Sequence, residues 1–267
     1  MISFVATPIG NLKDITLRAL ETLKEADVIF CEDTRHTVKL LNAYDIKKPL
    51  FACHKFNEAE AARKILEASR RGEKVAVVSD AGTPVVSDPG NVVCKYLREN
   101  GEPYTLIPGA CAFVAALVLS ALPAGRFAFI GFLPDKNSEK KALLEKYKDC
   151  DLTLAFHSAP QDVDKDIKAM YEVFGDRNAA AVREISKIHE ETINFRLADG
   201  LPNEKRGEYV LLVEGAEEKE SPLNALSEVD HIRHYMAAGL DKKEALKRAA
   251  KDRGVSKSEL YPFAIDL

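Results

Sequence analysis

The run Ser79-Asp80-Ala81-Gly82-Thr83-Pro84-Val85-Val86-Ser87-Asp88-Pro89-Gly90 packs two glycines, two prolines and two aspartates into twelve residues. A loop that long and that punctuated, directly after an apolar run, serves more than connection. Asp80 is placed to accept hydrogen bonds from a ribose or an ammonium group; the plainer reading is that both aspartates cap the next helix. Thr7-Pro8-Ile9-Gly10-Asn11 follows the opening apolar run, where Gly10 lets backbone approach a ligand closely. Ile107-Pro108-Gly109-Ala110-Cys111-Ala112 opens a helix of small and apolar residues. Small side chains there leave room for a planar ring beside free helix N-terminal amides. Cys31-Glu32-Asp33-Thr34-Arg35-His36 crowds two acids, an arginine and a histidine into one turn. An acid at that place binds a ribose in dinucleotide enzymes, but a solvated helix start also favours acids at its positive end.

The same residues exclude other chemistry. No G-x-G-x-x-G fingerprint follows the first strand, and no G-x-x-x-x-G-K-[ST] phosphate loop occurs. His189-Glu190-Glu191 is not H-E-x-x-H, because Ile193 stands where the second histidine belongs. The five cysteines, Cys31, Cys53, Cys94, Cys111 and Cys150, never form a C-x-x-C pair. They are expected to be reduced thiols of a cytosolic protein that binds no metal.

These turns need a scaffold. At about 150 residues per domain, 267 residues correspond to roughly two domains. Charged residues make up 30% with both signs mixed, which excludes global disorder. A net charge of -4 excludes a chain-wide basic footprint for nucleic acid, though not a local patch. The start has no basic signal-peptide region. The longest apolar stretch, 110–122, is interrupted by Ser120 and is too short to cross a bilayer. A cytoplasmic location without a membrane partner follows as the expectation.

Strands are predicted over 2–7, 28–31, 50–53, 75–79, 104–107 and 127–132. Helices are predicted over 14–26, 34–44, 58–71, 91–99 and 110–121, with Thr34 as an N-cap and Gly72 closing the third. The alternation argues for a mostly parallel sheet covered on both faces. Ligands sit outside the carboxyl ends of such strands, where the turns above lie. Segment 134–149 is charged and polar and marks a boundary. Beyond it, strands over 152–156, 179–183, 192–197 and 209–213 and a helix over 161–174 suggest a second α/β domain with antiparallel pairing. The expected division is 1–134, 135–220 and a helical tail over 221–267. Residues 227–257 hold eight Lys or Arg against five acids. Val229, Ile232 and Met236 recur at helical spacing, as do Ala245, Leu246 and Ala249, and Ser256 can cap a short final helix. The tail reads as a small helix-turn-helix unit with one apolar and one basic face. Such a face is often merely solvated. Its functional reading is an RNA-docking arm in which Lys243, Lys247, Arg248, Lys251 and Lys257 contact phosphates.

Taken together, these motifs resemble the ribosomal RNA ribose-methylating branch of the tetrapyrrole methylase superfamily. The matching stretches are VATPIGNLKDITLRALETLKEADVIFCEDTRHT (5–37), VVSDAGTPVVSDPG (77–90), IPGACAFVAAL (107–117), GFLP (131–134), REISKIHEE (183–191) and RGEYVLLVEG (206–215). The similarity runs the length of the chain. EDTRHT combined with SDAGTPVVSDPG marks this branch, whereas corrin and siroheme methylases carry G-D-P where this chain has Ser79-Asp80-Ala81. The resemblance implies two α/β domains of the tetrapyrrole methylase type with S-adenosylmethionine (SAM) in the cleft between them, and a homodimer. It implies methyl transfer to the ribose 2'-hydroxyl of a decoding-centre cytidine in 16S rRNA of the small ribosomal subunit. It carries over Pro8, Ile9 and Gly10 as bordering the cofactor, with Asp80, Gly82 and Thr83 at its methionine end. Pro108, Gly109, Ala110 and Cys111 would lie beside it, and Phe156, His157, Glu184, Glu208 and Tyr209 would close over the adenosine. The chain departs from the pattern at Gly109-Ala110-Cys111-Ala112, where relatives often have Pro-Ser-Ala, and at Ser186-Lys187, where Thr-Lys is usual.

Methyl transfer from a sulfonium is an in-line displacement whose main lever is orientation, up to about 7–11 kcal/mol. A proton acceptor adds about 10²–10⁴-fold. The candidates are Glu184, Lys187 and His189 at one strand end, and Asp33. Lys187 serves as a base only if burial lowers its pKa; it fits more readily as a phosphate-binding charge, and Arg35 reads best as a phosphate or base contact near the cleft. Two other functions compete: a porphyrinoid methylase, expected to show G-D-P and no basic tail, and a SAM-binding RNA scaffold without turnover. A nicotinamide oxidoreductase lacks its glycine fingerprint.

Overall fold

The computed structural model describes residues 1–202, 206–217, 222–265 and 267. Runs of mostly β-branched residues form β1 (Ile2–Val5), β2 (Val28–Cys31) and β4 (Val75–Val78), and every residue of the three is buried. Strands with no wet face need helices on both sides, which a parallel sheet supplies. With β3 (Leu50–Ala52) and β5 (Tyr104–Ile107) at its edges, they form an all-parallel sheet in the order β3-β2-β4-β1-β5. On one face, α3 (Glu58–Arg70) and α4 (Asn91–Glu99) bury Ile65 and Leu97 against Ile2 and Phe4. On the other, α1 (Leu17–Glu25) and α2 (Thr34–Ala43) bury Leu23 and Leu41 against Val5 and Ile29.

Two helix starts differ from expectation. Residues 12–14 form a separate 3-10 turn, and α1 begins only after Thr16, whose hydroxyl accepts the Ala19 N–H at 3.1 Å. The N-cap of α2 is Asp33, not Thr34: its carboxylate accepts the Arg35 N–H at 2.8 Å, which puts Thr34 at the first helical position.

The second sheet contains β6 (Phe127–Phe132), β7 (Thr153–Ser158), β8 (Asn178–Arg183), β9 (Glu191–Arg196) and β10 (Tyr209–Val213), in the order β6-β7-β10-β8-β9. Only the β6–β7 pair is parallel. Strand β6, read from the sequence with the first half, thus belongs to the second sheet. The chain has crossed over before it: α5 (Ala112–Ser120) beds Ala116 and Leu117 on Ala155, Ala180 and Val210.

Segment 134–149, read as a polar connection, contains α6 (Asn137–Glu145). It packs with α7 (Val163–Phe174) on the opposite face of the second sheet, with Leu144 in the core. Lys140 hides the helix from a sequence reading, because its ammonium is buried against Asp166 of α7. The other Asp166 oxygen accepts the Ser158 hydroxyl at 2.6 Å. Strand alternation sends Leu154, Phe156 and Ser158 toward these helices, and Ala155 and His157 toward α5.

By internal packing the chain divides into residues 1–216 and 217–267. The boundary expected between 220 and 221 lies outside the described residues. The second unit holds α8 (Glu228–Ala237), α9 (Lys242–Asp252) and α10 (Lys257–Leu260), the last followed by a 3-10 turn. Ile232, Leu246 and Leu260 share one core, and Ser256 caps α10 in a reciprocal box with Glu259. Lys243, Lys247, Arg248, Lys251 and Lys257 are exposed. Arg253 instead turns inward to His231 and Glu228, at 3.1 and 3.2 Å.

Candidate active site

The turns at the carboxyl ends of β1, β4 and β5 and one face of the second sheet enclose a cavity of about 440 Å³. That volume suits a cofactor-sized ligand. The first sheet contributes Ile9, Ala81 to Thr83, Val86 to Asp88 and Cys111 to Phe113; the second contributes Phe132, His157, Ile185, Glu208 and Val210. The three turns are stitched together. Thr7 and Gly82 exchange both backbone hydrogen bonds, at 2.9 and 3.1 Å, and the Thr83 hydroxyl donates to the Ala110 carbonyl at 3.3 Å. Gly82 has φ +77°, which strains any side chain, and a Cβ there would crowd Ile9 Cγ2 at 3.3 Å. Cys111 starts α5 without a side-chain cap. Burial raises its thiol above the usual range, with the Val114 and Phe113 N–H groups opposing.

Aromatic rings form one wall. Phe113 stacks on Phe129 with centroids 4.2 Å apart, and His157 packs edge-on to Phe129 at 5.1 Å and beside Phe132 at 5.2 Å. Burial pushes the His157 imidazole below its ordinary pKa against the pull of Glu208, which keeps it neutral near pH 7.

Of the residues expected at a cofactor, Ile9, Gly82, Thr83, Cys111, His157, Glu208 and Tyr209 border the cavity. Pro8, Pro108, Gly109 and Ala110 lie in the same turns without walling it. Gly10 packs on the loop after β8: a Cβ there would fall 2.4 Å from Lys187 Cγ and 3.1 Å from the Ile185 carbonyl. Phe156 is a correction. It faces the α6–α7 side of its strand and is wholly buried in that core. Asp80 does not wall the cavity either; its Oδ1 accepts the Asp33 N–H at 3.1 Å and fixes the turn after β2.

The expected proton acceptors are engaged elsewhere. Glu184 Oε1 accepts from Lys187 Nζ at 2.9 Å and from the Glu208 N–H at 3.0 Å. Burial alone would raise the Glu184 pKa, but those two donors bring it below the usual value. Lys187 also bonds Glu208 Oε2 at 3.0 Å. Burial would lower its pKa, yet the two carboxylates outweigh burial and raise it, so it stays an ammonium. Asp33 is gripped by the Arg35 guanidinium through Nε at 3.1 Å and Nη2 at 2.7 Å. That fork, with the Arg35 N–H, holds its carboxyl well below the carboxylate range. His189 is exposed on the same loop as Lys187.

Asp88 was missed as a site residue. Its capping reading fails, because the start of α4 is capped from α3: Glu58 Oε2 accepts the Gly90 and Val92 N–H groups at 3.0 and 3.1 Å. Asp88 is instead half-buried in the cavity wall, between the left-handed Val85 and Ser87 (φ +77° and +66°) and the helix. Burial raises its pKa, the Ser79 hydroxyl opposes, and Asp80 raises it further. The sequence signal was present in the spacing of Asp88 from Asp80, but Glu58 had to be seen beside Gly90 to separate their roles.

A profile of the family described as Tetrapyrrole (Corrin/Porphyrin) Methylases matches residues 1–201. The chain is 41% identical over 270 residues to the ribosomal RNA small subunit methyltransferase I of Bacillus subtilis (strain 168), across 98% of this chain and 92% of that protein. A solved diphthine synthase has a TM-score of 0.65 at 17% identity, across 80% of this chain and 89% of that one. The uroporphyrin-III C-methyl transferase from Thermus thermophilus, complexed with S-adenyl homocysteine, has a TM-score of 0.57 at 22% identity, across 79% and 96%. Both structures share the fold of two α/β sheets described above.

Proposed function

Because this chain belongs to the tetrapyrrole methylase family, in the group of ribosomal RNA small subunit methyltransferases I, we propose that it methylates 16S rRNA, using SAM. The acceptor in this reading is the ribose 2'-hydroxyl of a decoding-centre cytidine. The cavity between the two sheets carries the reading. Its features fit SAM: a glycine cradle at Gly82, a helix start without a side-chain cap at Cys111, an aromatic wall for a planar base, and the Glu208 carboxylate at the rim. Bound there, SAM supplies an electrophilic methyl group on a sulfonium. Ile9, Ile185 and Val210 exclude water around it, and neutral His157 adds no positive charge beside it. We assign proton acceptance to Asp88, whose raised pKa suits that task. Glu184 and Asp33 then hold Lys187 and Arg35 in place, and those cations meet RNA phosphate.

The homodimer reading is supported by large apolar side chains left uncovered on neighbouring stretches of the chain. Tyr104 and Leu106 on edge strand β5, Val114 and Val118 on α5, and Phe127 are all more than 40% exposed, and a second copy would cover them. A ribosomal substrate also implies a cytoplasmic enzyme.

The test is transfer of labelled methyl from SAM to unmethylated small subunits, with the nucleotide mapped. Label on a cytidine 2'-oxygen is expected; label on a base, or only on a porphyrinoid, overturns the reading. The tail enters as a phosphate-docking arm. Replacing Lys243, Lys247 and Lys251 together by Gln is expected to leave SAM affinity intact and to weaken subunit binding. The slope of log affinity against log salt should flatten by about 0.7–0.9 for each phosphate no longer neutralised. An unchanged slope would make the basic face a solvated surface.

A further inference from the structure

Phe56 lies just beyond the end of β3 with 91% of its surface exposed. A lone surface aromatic means little, but this one is held in a built turn. Asn57 Oδ1 accepts the His54 N–H at 2.7 Å, and Asn57 Nδ2 donates to the Ala52 carbonyl at 3.0 Å. The His54 ring stands edge-on to Phe56, with centroids 6.2 Å apart at 64°. The strand order β3-β2-β4 puts this turn on the same carboxyl edge as the cavity. At about 4.8 Å per strand it lies roughly 10 Å across from β4, within the reach of a neighbouring nucleotide. The two turns are also braced, because Glu58 accepts the Gly90 and Val92 N–H groups at the end of the turn that carries Asp88.

The charge between them selects the ligand. Asp33 in the turn after β2 is paired with the exposed Arg35, but Glu32, Asp80 and Asp88 remain as a strip of carboxylates, and that strip repels a phosphate chain. It accepts hydrogen bonds from exocyclic amino groups of bases such as cytosine. A single strand entering here therefore turns its bases inward and its backbone outward, where exposed Lys55 stands beside Phe56 and exposed Arg35 is placed for the phosphate contact given to it above. Building on the rRNA reading above, we propose that Phe56 is a stacking platform for a nucleobase of the single-stranded RNA next to the methylated nucleotide. Sequence-tolerant stacking of splayed bases on aromatic rings is the usual mode for single strands.

The experiment compares wild type with Phe56→Ala, Phe56→Leu and Phe56→Trp. It measures binding to unmethylated small subunits, KM and kcat for methyl transfer, and SAM affinity by calorimetry. Phe56→Ala and Phe56→Leu are expected to weaken subunit binding and raise KM by about 5- to 150-fold, with kcat and SAM affinity unchanged. Phe56→Trp should restore both. If Phe56→Ala matches wild type on an active enzyme, the platform falls and methyl transfer stands. Leucine performing as well as tryptophan overturns stacking in favour of plain apolar contact. A wild type that neither binds nor methylates subunits removes the rRNA reading and the platform with it.

Discussion

Asp88→Asn is expected to lower kcat for methyl transfer by about 10²–10⁴-fold while SAM affinity stays near that of wild type. The amide keeps the shape of the side chain and can still accept from the Ser79 hydroxyl, but it cannot take a proton. The pH profile gives a second readout. Asp88 accepts a proton only as a carboxylate, so activity falls as pH drops through its pKa. Burial first, and Asp80 after it, raise that pKa above the ordinary aspartate value against the Ser79 hydroxyl, so the acid limb should lie above that of an ordinary aspartate. In Asp88→Asn the residual activity should lose that limb. Single-turnover transfer to unmethylated subunits measures the rate, and calorimetry measures the affinity. Full activity in the variant would return the proton to water or to His157.

Lys140→Met is expected to destabilise the fold by about 3–5 kcal/mol, because it leaves the Asp166 carboxylate buried without its cation. Both side chains are 5% exposed, so water cannot take over. Adding Asp166→Asn removes the stranded charge and keeps an acceptor for the Ser158 hydroxyl, and the double variant should recover much of the loss. Urea unfolding midpoints compare the three proteins. The pair reaches the cavity only through Ser158, which borders it and donates to Asp166, so the double variant, which keeps that acceptor, should keep its SAM affinity. Equal stability of the single and double variants would show that the charge on Asp166 carries no cost once Lys140 is gone.

Local chemistry made much of this fold legible. The runs 28–31, 91–99, 104–107, 127–132 and 209–213 are bounded by turn residues and form the elements expected of them. Pairing was less legible, because hydrogen bonds join residues far apart in the chain. Phe127–Phe132 reads as a strand wherever it pairs, and only α5 packed on Ala155 and Ala180 puts it in the second sheet. Helix α6 was hidden by Lys140, since composition cannot tell a solvated lysine from one buried on an aspartate. Within the site, the resemblance carried by the turn motifs named Ile9, Gly82, Thr83 and Cys111, and all four border the cavity, because backbone turns are set by local sequence. Phe156 and His157 are neighbours, and only strand alternation separates a core ring from a cavity ring. Lys187 looked like a possible base until Glu184 and Glu208 were found on its ammonium.

Helix α5 begins at the end of a first-sheet strand, inside the cavity wall, and rests its middle on the second sheet. The chain therefore changes sheets within the ligand site itself. Neither sheet can be exchanged as a module, because any recombination point between them divides the pocket. Strand and helix additions can accumulate at the outer edges β3 and β9, but the two sheets that wall the cavity must be inherited jointly.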